Sequence, residues 1–466
     1  MLRYFRINDP YRLLGLLVLM TLLSLPLFID TTPLTHPELR SFVIGEKVHE
    51  GNALYSELID STPPLASWLY GLGDILFGRS LTIRHLLAFL ILFSQSAFLG
   101  IMLIDKKVFS ENTYIPSFVF SILAFISFDS LSLTADLLAS GFILLTLNNL
   151  FKEIEFRIQR DETIFNLGLF LSLASLLRFS HVIYLPGAIL VLLIFTRSNL
   201  RKYLLMMLGF MLPHLFLICV YYVSGDFLSL WEHFYLPNLS FGSGSLMNST
   251  SLLWLCAIPL LYLFISLFIL NRDAHLTKYQ SQIFQAMFLW FAVALIEILF
   301  TSDRRPQSLI TLLPPVSFFL THFLLLIRRR KFAEIHLWVL LVAVVTVTYL
   351  TRYNKIEKIQ YDKLIVNQAS NPMKGKRILV LDDQPELFAN NQLATSFYEW
   401  SVSQPIFEHP EYYDNLLAVS RSFEGDLPEI IVDPKNLMKA FFDRLPALAT
   451  HYERTPEGYR LVKISN

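Results

Sequence analysis

Residues 63–104 read PPLASWLYGLGDILFGRSLTIRHLLAFLILFSQSAFLGIMLI. The second half, from Thr82 to Ile104, is a predominantly apolar run. A membrane-spanning helix needs about 20 such residues, so this run is long enough to cross a bilayer. The first half differs in kind. Pro63-Pro64 opens it, Trp68 and Tyr70 suit a membrane interface, and Gly78-Arg79-Ser80 interrupts it before the span begins. The stretch therefore reads as the end of an extramembrane loop running into a span.

The same pattern recurs along the chain. About eleven candidate spans are predicted, near residues 12–29, 82–104, 115–129, 133–151, 163–178, 181–196, 203–223, 251–270, 282–300, 307–327 and 334–350. The composition agrees: 54% of the 466 residues are hydrophobic and 16% charged, against roughly 25% charged in a soluble domain. That balance excludes an ordinary soluble enzyme. A β-barrel porin is excluded as well, because its strands would alternate polar and apolar residues. A net charge of zero provides no basic field for nucleic acid. Cys219 and Cys256 both sit in apolar runs, which leaves neither a disulfide framework nor a cysteine-type zinc site. The first span lacks a small-x-small cleavage site and reads as a retained anchor.

Basic residues set the expected orientation. With the N-terminus inside, Arg3, Arg6 and Arg12, Lys106-Lys107, Lys152 with Arg157 and Arg160, Arg197 with Arg201-Lys202, Arg272 with Lys278, and Arg328 to Lys331 all fall on the cytoplasmic side. The loop 30–81, the loop 224–250 and the C-terminal tail then lie outside. Arg304-Arg305, beside Asp303, breaks the rule by falling outside. It reads either as a salt bridge to Asp303 or a headgroup contact, or as an anion site.

Two domains are expected: a membrane domain over 1–351 with its outer loop, and a soluble extracytoplasmic domain over 352–466. In the latter, Ile378–Leu381 and Pro428–Val432 read as strands, and Asp433-Pro434 as the start of a helix through Phe442. Strands alternating with helices suggest a small α/β fold.

The outer loop holds the acidic candidates Glu38, Glu57 and Asp60. A carboxylate at the membrane rim is half desolvated, which suits it to act as a general base or to bind a divalent metal. Thr35-x-x-Glu38 is also a capping box, which gives Glu38 a purely local role. Asp136 reads either as a further acidic or metal-binding candidate or as an N-cap. His36 and His49 match no zinc spacing.

The loop resembles the first-loop signature of the GT-C superfamily, nearest to the lipid-linked sugar transferases of the protein O-mannosyltransferase and aminoarabinose-transferase kind. The matching residues are Glu38, Gly51, Tyr55, Pro63-Pro64-Leu65, Trp68, Phe77-Gly78 and Arg84, in that order. Weaker echoes follow at Thr134-Ala135-Asp136, at Leu176-Leu177-Arg178 with Pro186, and at Arg304-Arg305-Pro306 before Leu313-Pro314-Pro315. The sequence departs from the pattern at His36-Pro37-Glu38, where the family has an acidic pair, and at Thr62, where it has lysine.

The resemblance implies a polytopic α-helical GT-C fold in the cytoplasmic (inner) membrane. It implies transfer of a sugar from a polyprenyl-phosphate carrier to an acceptor on the outer face. Glu38 would be the catalytic base, and Arg178, Arg304 and Arg305 would bind the donor phosphate. The cofactor stays open, a divalent metal being one option, and the partners are the lipid-linked sugar and membrane lipids. Two alternatives remain: a non-catalytic GT-C-fold subunit binding a membrane-protein partner, and a transporter of lipid-linked sugars.

Overall fold

The computed structural model describes residues 1–30, 32–155, 160–196, 198–239, 245–273, 276–301, 304–353, 355–367 and 374–462. Arg157, Arg197 and Asp303, which entered the charge argument, lie outside the described residues. The chain divides into two compact units. The first comprises Met1–Thr32, Ser80–Phe216 and Phe241–Leu364, and the second Pro33–Arg79, Leu217–Ser240 and Ile365–Asn466. Whereas the sequence suggests a division near residue 352, residues 33–79 and 217–240 group into one unit with the C-terminal region.

The first unit is helical because its apolar runs satisfy every backbone N–H and C=O internally, the condition for crossing lipid. Among the described residues seven helices are long and apolar enough to span: Arg12–Ile29, Leu81–Asp105, Ala135–Ile154, Leu200–Ser224, Lys278–Phe300, Pro306–Leu326 and Arg330–Arg352. An eighth is a pair, Ser249–Leu255 and Ala257–Leu270, bent by 64°. The break falls where Pro259 has no N–H to offer the carbonyl of Leu255.

The other predicted stretches form shorter helices. Asp161–Leu177 has 17 residues, and Tyr184–Phe195 follows a short 3-10 turn, Phe179–Ile183. Ile115–Ala124 is buried at every position. Its apolar sequence therefore answers to protein neighbours on all sides.

Close backbone approach decides part of the packing. A Cβ on Gly168 would lie 2.0 Å from the carbonyl oxygen of Met206, and one on Gly209 would lie 2.3 Å from that of Phe165. The Asp161–Leu177 and Leu200–Ser224 helices thus touch through paired glycines, as membrane helices commonly do. Polar links reinforce the unit: Gln95 Nε2 donates to the Leu137 carbonyl at 2.8 Å, and Ser96 Oγ to that of Ser117 at 2.7 Å.

In the second unit the His36–His49 and Pro64–Phe77 helices pack together. Besides further helices, the unit holds the strands β1 (Arg377–Val380), β2 (Gln392–Leu393), β3 (Ile430–Val432), β4 (Tyr452–Thr455) and β5 (Gly458–Leu461), which form a five-stranded sheet of order β2-β1-β3-β5-β4. β1 runs parallel to β2 and β3, and β5 is antiparallel to β3 and β4. Leu379, Leu381, Ile431, Val419, Phe423 and Phe441 form the core.

The helix after β3 starts later than Asp433-Pro434 suggests, at Met438. Asn436 takes a left-handed conformation at φ 56°, which postpones the helix. Asp433 still acts as a cap: its carboxylate accepts the N–H groups of Leu437 and Met438, each at 2.9 Å. Ile59 bridges Phe397 in parallel and Thr35 bridges Ile365 in antiparallel fashion, so the loop is tied directly to the C-terminal region.

Candidate functional site

Three segments of the first unit converge on one carboxylate. Asp136 is the second residue of Ala135–Ile154, where a negative charge is favoured by the helix N-terminus. It is not the N-cap, a position held by Thr134. Its Oδ1 lies 2.7 Å from Nε of Arg178, the residue that ends Asp161–Leu177. Its Oδ2 accepts from Nε of Arg305 at 2.8 Å and also from that residue's Nη2. Arg305 is held extended just before the 3-10 turn Pro306–Leu312. Asp136 and Arg305 are 1% and 4% exposed, so the paired charges are shielded from water.

A second carboxylate, Glu297, lies near the end of Lys278–Phe300 and is fully buried. Its Oε1 accepts from Ser180 Oγ at 2.5 Å and Thr301 Oγ1 at 3.2 Å, and His181 Nδ1 lies 3.4 Å away. Thr301 in turn accepts from Arg178 Nη2 at 3.5 Å. On the other side, Gln307 donates its backbone N–H to Asp129 Oδ2 at 3.1 Å and its side-chain amide to the Ser132 carbonyl at 2.6 Å, fixing the turn that carries Arg305.

The expected basic pair is split. Arg305 turns inward to Asp136, while Arg304 Nη1 donates to Ser249 Oγ at 2.8 Å. Arg178 and Arg305 are therefore brought together and Arg304 is not on the same carboxylate. Sequence reading did not find Glu297, His181 or Gln307. A usable signal existed for Glu297, since an acidic residue inside an apolar span carries a functional expectation by default.

The loop carboxylates belong to the second unit. Glu38 is 3% exposed and closes the capping box of His36–His49: its Oε2 accepts the Thr35 N–H at 3.1 Å and the Thr35 hydroxyl at 2.9 Å. Glu57 is exposed, and its Oε2 accepts the Ala53 N–H at 2.8 Å. Asp60 is buried in a cluster that the sequence did not reveal. Arg40 Nη2 donates to both Asp60 oxygens, at 3.1 and 3.0 Å, and to Glu399 Oε2 at 2.6 Å. Asp60 Oδ1 also accepts the Thr62 N–H at 2.6 Å.

Burial pushes the Asp60 carboxyl up, and Arg40 opposes the shift without cancelling it. Burial pushes Glu399 up too, but Arg40 and the Ser61 donors outweigh it and hold that carboxyl below its ordinary value. His36 sits 3.9 Å from Glu386 and His49 2.7 Å from Asp74, so the two histidines serve different carboxylates. Among the described residues no three His, Cys, Asp or Glu side chains are grouped to hold a metal ion.

Chemically, the Asp136 cluster presents two guanidiniums in a water-poor setting. Guanidinium is planar, always charged and matched to phosphate oxygens. Preorganised cations in such a setting stabilise developing negative charge strongly.

The chain belongs to the family of unknown function DUF6427, whose model matches residues 75–359. No curated protein matches the sequence. The structure of ArnT from Cupriavidus metallidurans bound to undecaprenyl phosphate is similar at a TM-score of 0.54 and 13% identity, over 82% of this chain and 85% of that one. The same protein in the apo state gives 0.52, with the same identity and coverage. The oligosaccharyltransferase AglB from Archaeoglobus fulgidus, in complex with an inhibitory peptide and a dolichol-phosphate, gives 0.49 at 10% identity, over 98% and 75%. The likeness to ArnT is one of fold: this is a multi-pass membrane protein with the GT-C fold and a small C-terminal sheet region.

Proposed function

We propose that this DUF6427 protein is a glycosyltransferase that moves a sugar from a polyprenyl-phosphate carrier to an acceptor on the outer face of the cytoplasmic membrane. The observation that carries the reading is the convergence of Arg178 and Arg305 on buried Asp136. Charges inside a membrane unit are costly and are kept where they serve a ligand or a reaction. The fold adds support, since a solved neighbour holds undecaprenyl phosphate.

In this reaction the acceptor oxygen bonds the anomeric carbon as the bond from that carbon to the carrier phosphate oxygen breaks. The bonding electron pair leaves on the phosphate. Arg178 and Arg305, with Arg304 as a third cation, are assigned to that phosphate. Glu38 is assigned to accept the acceptor's hydroxyl proton, and Glu57, Asp60 and Asp136 are the carboxylates next in line for base or metal binding. The basic loops support an orientation with the N-terminus inside.

A second reading has its own observation. Glu38 is engaged in the capping box and Asp60 in the Arg40 cluster, an arrangement that suits a non-catalytic GT-C subunit binding a membrane partner. Extracted lipids from cells lacking the protein separate the two. The enzyme reading expects one polyprenyl-phosphate-sugar to accumulate and to fall again on complementation. Unchanged carrier pools would favour the subunit.

A further inference from the structure

Glu297 is the one acidic residue of Lys278–Phe300, and nothing in the proposed reaction uses it. Burying a carboxylate in an apolar unit is unfavourable unless its contacts or its role offset the loss of water. Its contacts are lopsided. Ser180, Thr301 and His181 all address Oε1, while Oε2 has no hydrogen-bond partner among the described residues.

The groups on Oε1 surround Arg178. Ser180 and His181 are the second and third residues of the turn that follows it, and the His181 N–H donates to the Arg178 carbonyl at 3.1 Å. Thr301 accepts from the Arg178 guanidinium itself. Glu297 therefore holds both the backbone that follows Arg178 and the hydroxyl its guanidinium addresses. An arginine side chain has wide rotamer freedom, and the Thr301 contact restricts it at Nη2, while Asp136 lies 2.7 Å from Nε.

We propose that Glu297 is a positioning residue for Arg178, acting through Ser180, His181 and Thr301 to set the protein's affinity for the phosphate of a polyprenyl-phosphate lipid. This rests on the reading of Arg178 as a phosphate ligand given above. Without Glu297 the turn loses its common acceptor, and the guanidinium loses its fixed direction. The lipid tail is untouched by the change.

The test compares binding of undecaprenyl phosphate and of undecaprenol to the purified full chain in detergent. The ratio of the two affinities reports on the phosphate alone. Wild type is expected to prefer the phosphate, and Arg178→Gln to lose that preference. Glu297→Ala is expected to reduce the preference about tenfold in the wild-type background and to change it no further alongside Arg178→Gln. Glu297→Gln, which keeps an acceptor oxygen for Ser180, should retain most of it.

Should Glu297→Ala fail to accumulate, Ser180→Ala removes one donor only and should reduce the preference about threefold. A Glu297→Ala protein that weakens both lipids equally, or that adds a further loss to Arg178→Gln, overturns the positioning role. So does an unchanged ratio in both Glu297→Ala and Ser180→Ala. A wild-type chain without preference, or an Arg178→Gln chain that keeps it, instead overturns the phosphate assignment of Arg178.

Discussion

Nε of Arg178 lies 2.7 Å from Oδ1 of Asp136, joining the end of one helix to the first turn of another. Arg305 occupies the other oxygen, so Asp136 pairs with two guanidiniums at once. Breaking a buried pair by removing one partner costs far more than the pair contributes, since the orphaned charge stays behind. Asp136→Asn keeps the shape and removes the charge. It is expected to lower stability by about 3–5 kcal/mol, read as an earlier thermal transition in detergent. Adding Arg305→Gln to it should restore part of the loss.

Gly168 tests the helix contact. Gly168→Ala would drive a methyl group into the Met206 carbonyl, and overpacking of this kind costs about 1–3 kcal/mol. Gly425→Ala, at a site with open space around it, should stay within about 0.5 kcal/mol of wild type. Parallel thermal melts compare the two. Equal transitions would contradict the close approach.

The Arg40 cluster predicts a pH-dependent defect. Glu399 is held below its ordinary value of 4.5, so it stabilises the fold above that value, and the contribution fades as pH falls through its lower folded value. Asp60 is raised above 3.8 and contributes in the opposite sense: its share is present in acid and is lost as pH rises through its raised value. Arg40→Gln leaves the buried Asp60 and the half-buried Glu399 facing each other. The variant should lose about 3 kcal/mol at pH 7. The gap to wild type should narrow toward pH 4, where protonation relieves the repulsion. Melts across that range check the sign.

Glu38→Gln separates capping from catalysis. Glutamine can close a capping box but cannot take a proton as a carboxylate does. The variant is expected at normal level in the membrane, with sugar transfer from the carrier reduced at least about a hundredfold. Near-normal transfer would confine Glu38 to its helix and turn attention to Glu57, Asp60 and Asp136.

Topology is open to a fusion experiment. With the N-terminus inside and the C-terminal region outside, a reporter joined after Asn466 that works only in the cytoplasm should be silent. An active fusion would mean an odd error in the number of crossings, and the outer-face reading would fall with it.

What could be read from the sequence is what a short window of residues decides. Twenty apolar residues partition into lipid wherever they occur, so the long helices were legible. The Thr35–Glu38 cap and strand β1 were legible too, the cap because its partners are three positions apart and the strand because it is a short continuous apolar run ended by acidic residues. Tertiary structure decided the rest. Arg305 meets Asp136 across 169 positions, and Arg40 meets Glu399 across 359. Nothing in either neighbourhood marks which acid a given arginine will find. Charge attraction is unspecific in sequence and becomes specific only when packing, set in the first unit partly by glycines at 168 and 209, excludes water and fixes which charges lie within reach.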